Sequence, residues 1–132
     1  LEDRLVDTPD DTDGWVRLAR AYDVLGQNEK VLEALANAAR SAPDDLDVQL
    51  SFLELILASG TTSTDITRAT AALAAAKKIA PNNPQTLFFE GHLARLAGND
   101  GTARIAWTAL LKLMEPGSGP AKALEAEINK LN

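Results

Sequence analysis

The chain has 132 residues, 45% hydrophobic and 24% charged, enough for one domain that buries roughly two-thirds of the surface its unfolded form exposes. No run approaches the ~18 consecutive apolar residues of a membrane span, and zero cysteines exclude disulfides, thiolate zinc sites and a cysteine nucleophile. The net charge of −6 is uneven: residues 1–60 carry 13 acids and 5 bases (−8) and residues 61–132 carry 6 and 8 (+2), a balance that disfavours binding to a phosphate backbone.

In chain order, Leu1, Leu5 and Val6 before Pro9 suggest that residues 1–8 end a preceding helix. Pro9-Asp10-Asp11 then places an N-cap carboxylate ahead of a helix over 12–25, closed by Gly26 at the left-handed C′ position. A second helix over 28–41 runs to Pro43-Asp44-Asp45, where the cap recurs before a helix over 46–59 and Gly60. Polar Thr61 to Asp65 reads as a lengthened surface loop, followed by a helix over 64–80. Pro81-Asn82-Asn83 caps a helix over 84–97 with Pro84 at its first position, and Gly98 ends it. A helix over 100–114 follows. Beyond Gly117 to Pro120, Leu124, Ile128 and Leu131 form one apolar stripe, as expected of a capping helix over 120–131.

The three Pro-Asx-Asx phrases lie 34 and 38 residues apart, and Gly26, Gly60 and Gly98 keep the same steps. A 34-residue period resembles the tetratricopeptide repeat (TPR). Trp15, Leu18, Ala19, Tyr22, Val31, Leu35, Ala38 and Pro43 fall at its spacings, with Ala for the usual Gly. The second copy is looser, with Gln49, Phe52, Leu53 and Ile56, then Ala69, Leu73, Ala76 and Pro81; the third has Leu87, Gly91, Ala94, Ala103, Trp107 and Leu110 and ends at Pro116. The expected fold is all-α: one TPR domain with repeats over 12–43, 46–81 (insertion near 61–65) and 84–116, plus the capping helix.

No catalytic constellation, phosphate-cradling loop or two-His zinc helix occurs, and Gly117-Ser118-Gly119 lacks the strand-turn-helix context of a nucleophile elbow. Asp11-Thr12-Asp13-Gly14 has Pro9 and Arg20 where a calcium loop needs ligands. The clusters Asp10, Asp11, Asp13 and Asp44, Asp45, Asp47 stand at helix starts, where the macrodipole favours anions, so capping is the preferred reading. Trp15, Tyr22 and Trp107 fit interhelical packing better than ligand stacking, and Lys77 and Lys78 are too few for a basic patch. Catalytic residues, metal ligands and cofactors are therefore not expected.

What a TPR stack offers is recognition of an extended or helical peptide along its first helices. Carrying over the inward repeat positions gives Val16, Arg20 and Asp23, then Leu50, Glu54 and Leu57, then Phe88, His92 and Arg95, beside Asp13, Asp47 and Gln85. An apolar strip of Val16, Leu50, Leu57 and Phe88 flanked by Arg20, Glu54 and Arg95 suits an amphipathic helix. His92, the single histidine, lies on this face or on plain surface. The carboxylate clamp of chaperone cofactors is largely missing, since its positions hold Val16, Arg20, Ser51, Gln85 and Phe89.

Nearly the whole chain resembles a narrower family, the C-terminal TPR domain of bacterial c-type cytochrome biogenesis proteins of the CcmI/CycH kind. The resemblance rests on Leu1-Glu2-Asp3-Arg4-Leu5, on Gly14-Trp15-Val16-Arg17-Leu18-Ala19-Arg20-Ala21-Tyr22, on Ala106-Trp107-Thr108-Ala109-Leu110-Leu111 and on the tail Ala123-Leu124-Glu125-Ala126-Glu127-Ile128. It implies a non-catalytic periplasmic domain that holds apocytochrome c, mainly by its C-terminal helix, beside the other subunits of the haem ligation complex. The membrane anchor would lie outside this sequence, which starts at Leu1 without an initiator Met or signal peptide and so reads as a fragment or processed form without direct membrane contact. A general TPR scaffold for another protein is the alternative.

Overall fold

The computed structural model describes residues 11–59 and 63–131. The expected preceding helix at residues 1–8, Gly60 and the loop residues Thr61 and Thr62 lie outside them. Among the described residues there are seven helices and no strand: α1 (Thr12–Val24), α2 (Asn28–Ser41), α3 (Leu46–Ser59), α4 (Ser63–Ile79), α5 (Pro84–Leu96), α6 (Asp100–Leu111) and α7 (Gly119–Asn129). Helix α4 already begins at Ser63, so Asp65 belongs to its first turn rather than to the expected loop; a carboxylate there meets the positive end of the helix, and the helix extends toward it. The chain forms two compact units, Leu1–Ile79 and Ala80–Asn132.

In the first unit, α1 starts where the Asp11 carboxylate accepts from the Gly14 amide at 3.0 Å, satisfying one of the orphan N–H groups of a first turn. Trp15, Leu18 and Ala19 then recur at three and four residues, and all three are buried. The helix stops at Gly26, whose φ of 71° allows the Gln27 amide to reach back to the Tyr22 carbonyl at 3.0 Å; this is the six-to-one bond of a Schellman stop. Helix α2 packs on α1, α3 on α2 and α4 on α3. Asp45 caps α3 through the Val48 amide at 3.3 Å. Leu53 and Ile56, about one turn apart on α3, are fully buried, each contributing about 1.5–3 kcal/mol.

Gln49 stands where the first repeat has Trp15, and it too is buried. Its Nε2 donates to the carbonyls of Ala39 at 2.9 Å and Ala42 at 3.1 Å. These acceptors belong to the C-terminal end of α2, where carbonyls lack helical partners. Polar stitching of α3 to α2 thus replaces aromatic bulk at this repeat position, and the amide is buried without leaving its donors idle.

The second unit begins with Asn83, whose side chain accepts from the amides of Gln85 and Thr86 at 2.9 and 3.3 Å, with Pro84 in the first turn of α5. Gly98, at φ 78°, ends the helix as Gly26 does, and the Asn99 amide donates to the Ala94 carbonyl at 2.8 Å. Asn99 and Ser118 cap α6 and α7. Leu87, Trp107, Leu110 and Leu124 form one buried cluster, and Ile128 and Leu131 pack against it. The last helix ends at Asn129 rather than at 131, so Leu124 and Ile128 from the helix and Leu131 just past its end cover the α5–α6 hairpin.

Candidate functional site

Helices α1, α2 and α3 enclose an open hollow of about 420 Å³ in the first unit. Its apolar lining comes from Val16 and Ala19 of α1, Val31 and Leu35 of α2, and Leu55 and Ala58 of α3. Arg20, Asp23, Ser51 and Glu54 complete it. Small side chains explain the space: Ala19 and Ala58 stand where larger residues would close the gap between hairpins. Arg20, Asp23 and Glu54 form no ion pair or side-chain hydrogen bond with any described residue. The arrangement is an apolar floor with charges at its margin, suited to one face of a helix.

The second unit presents a different surface. Phe88, His92 and Arg95 follow at four and three residues on α5, on one face. The Phe88 ring stacks on that of His92 with centroids 6.1 Å apart and on Trp107 at 6.5 Å. Arg95 lies over the Trp107 ring at 5.4 Å and pairs with Glu127 of α7 at 2.8 Å. Trp107 itself is 1% exposed, and its Nε1 donates to the Phe88 carbonyl at 3.1 Å. Phe88 remains 43% exposed. Burial holds the His92 imidazole below its ordinary pKa, the Arg95 charge adds to the shift, and Glu127 opposes it, so His92 is neutral at pH 7. The Glu127 carboxyl is held low by its hydrogen bond from Lys130 and that residue's charge, with Arg95 adding to both.

Of the groove residues expected from the repeat positions, Val16, Arg20, Asp23 and Glu54 are brought together around the first hollow. Phe88, His92 and Arg95 share the second unit's aromatic face. Leu50 corrects the expectation: it is only 6% exposed and belongs to the core. The reason is rotational. Helix α3 turns Ser51, Glu54, Leu55 and Ala58 toward the hollow, a stripe displaced from the expected Leu50, Glu54 and Leu57 by about one residue, or ~100° of helix. Leu57 is half-buried and is not among the residues lining the hollow.

Ser51, Leu55 and Ala58 were thus missed as lining residues, and their spacing of four and three was the available signal. Val31, buried in the core, and half-buried Leu35 border the hollow as well as serving repeat packing. Among the described residues no group of three or more His, Asp or Glu is gathered as a metal site, and no helix is long and apolar enough to cross a membrane.

No curated protein matches the sequence. The family model described as the cytochrome c-type biogenesis protein H TPR domain matches residues 1–120. Paired helices, Schellman-type stops at Gly26 and Gly98 and the close approach of Trp107 to Gly91 are the structural counterparts of the repeat pattern read from the sequence. The chain therefore belongs to the TPR domains of the cytochrome c-type biogenesis protein H family.

Proposed function

We propose that this domain is a non-catalytic holder of apocytochrome c, which takes the client's C-terminal helix on its TPR surfaces and presents it to the haem ligation machinery. The observation that carries this reading is the apolar hollow of the first unit, with Val16 and Leu35 in its lining and unpaired Arg20, Asp23 and Glu54 around it. Membership of a cytochrome c biogenesis family supplies the class of client. Phe88, His92 and Arg95 form the corresponding contact face of the second unit. On this reading the domain works on the periplasmic side of the inner membrane, tethered by a segment outside this sequence, among the other subunits of the haem ligation complex.

Calorimetric titration tests it. The domain is titrated with a peptide of an apocytochrome c C-terminal helix, with a scrambled peptide and with the haem-loaded cytochrome. Selective heat from the native peptide is the expected result. Equal or absent heat from all three, with the domain shown to be folded, overturns apocytochrome capture and returns the domain to the role of a TPR scaffold for another protein. Val16→Lys should weaken the native peptide without lowering the melting temperature appreciably, because Val16 is only half-buried.

A further inference from the structure

The first unit's hollow is bordered by an unusual charge arrangement. Asp23 lies in the last turn of α1, which carries no basic residue. A helix C-terminus presents the negative end of the macrodipole, and a carboxylate placed there is disfavoured where a cation would be welcome. Glu54, on α3, lines the same hollow. Among the described residues that line the hollow Arg20 alone opposes them, and none of the three is neutralised by a described residue.

Another hollow of this unit, about 340 Å³ between α2, α3 and α4, shows the opposite treatment. Its two cations are already engaged: Arg40 donates to Asn37, and Arg68 pairs with Glu33 at 3.5 Å. The α1–α3 hollow therefore combines an apolar floor, two idle carboxylates against one idle guanidinium, and a helix C-terminal dipole of the carboxylates' sign, a net negative margin. That sum selects for positive charge.

We propose that the α1–α3 hollow recognises a basic amphipathic helix, placing an aliphatic side chain against Val16, Val31, Leu35 and Leu55 and a Lys or Arg one turn away between Asp23 and Glu54. This rests on reading the hollow as a helix-binding surface, and it names the chemistry of the occupant. One turn separates residues i and i+4 on a helix face. An aliphatic side chain fills the floor, and the next residue on that face reaches the acidic margin. Arg20 sets the register by donating to a carboxylate farther along the same helix.

The test uses the 132-residue chain and three designed helical peptides. All share one apolar stripe around a central Leu and differ only four residues on, where they carry Lys, Gln or Glu. In low salt the Lys peptide is expected to bind about fivefold more tightly than the Gln peptide, with the Glu peptide weakest. The order should collapse in 1 M NaCl, where the screening length is ~3 Å.

The double variant Asp23→Lys with Glu54→Lys should reverse the order. Should that variant misfold, Asp23→Asn with Glu54→Gln should abolish the preference while keeping the affinity of the Gln peptide. Equal affinities for the three peptides, preference for Glu, or no binding by any of them overturns the inference. The apocytochrome titration is read separately. Apocytochrome binding without binding of the designed peptides sinks the basic-helix assignment and leaves the holder role standing. The ordered response without apocytochrome binding does the reverse.

Discussion

The two units use their hairpins in opposite ways. In the first, α1 to α3 leave an open hollow whose charged neighbours have no partners among the described residues. In the second, the space between α5 and α6 is filled by one indole: Trp107 lies so close to Gly91 that a Cβ at that position would overlap the ring. Arg95 covers the ring and is itself held by Glu127. Trp107 thus fills the α5–α6 hairpin, whereas the gap among α1, α2 and α3 is lined by Ala19, Leu35 and Ala58 and stays open. A filled hairpin gains dispersion contacts; an open one leaves apolar surface for a partner.

The comparison is broken most severely by Trp107→Ala. It removes a ring that is 1% exposed and should cost about 3–5 kcal/mol in chemical unfolding. If the loss is under about 1 kcal/mol, the indole is not what closes the second unit.

Gly91→Ala comes next, with about 1–3 kcal/mol expected from overpacking against the same ring. Combining it with Trp107→Ala should produce strong non-additivity, because the clash disappears with the indole. A double-mutant cycle measures this, and simple additivity would separate the two residues.

Adding atoms to the first unit should have the smaller consequence that open space implies. Ser51→Leu, at an exposed lining position of α3, is expected to change stability by no more than about 0.5 kcal/mol. On the proposed function it should also reduce peptide affinity by filling the hollow. A large destabilisation would show that this region is packed more like its counterpart than the open volume indicates.

The smallest effect is electrostatic and belongs to the second unit. His92 has a lowered pKa in the folded state, so the unfolded chain binds its proton more readily. Its contribution to stability is intact above the ordinary histidine pKa and declines as pH falls from there toward the folded value. Asn at position 92 should flatten that part of the stability profile measured by urea unfolding from pH 7 to pH 5. Glu127 works in a lower window: its depressed pKa gives a contribution that is present above the ordinary carboxyl value and lost as pH falls through the folded one. An unchanged slope in the His92→Asn variant would remove the histidine from this account.

Much of the fold was legible because local chemistry punctuates it. Asp11, Asp45 and Asn83 all cap the helices they were expected to start, and Gly26 and Gly98 adopt the positive φ that ends a helix. The stripe of Leu124, Ile128 and Leu131 also joins the packing it predicted. The candidate site was less legible. Leu50 and Leu55 are both aliphatic residues on α3, and nothing in their chemistry tells which one faces the core.

The sequence by itself determined the helices, their ends and the TPR pairing, since caps, proline, glycine and apolar periodicity act over a few neighbouring residues. Membership of a cytochrome c biogenesis family rests on the family match over residues 1–120. Only the tertiary structure decided the rotation of α3 that buries Leu50 and turns Ser51, Leu55 and Ala58 to the hollow. It alone decided that Trp107 fills the α5–α6 hairpin while a hollow stays open among α1, α2 and α3. A turn of ~100° separates adjacent residues on a helix. The angle at which a helix settles is fixed by the packing of several helices at once, a quantity that no short stretch of sequence contains.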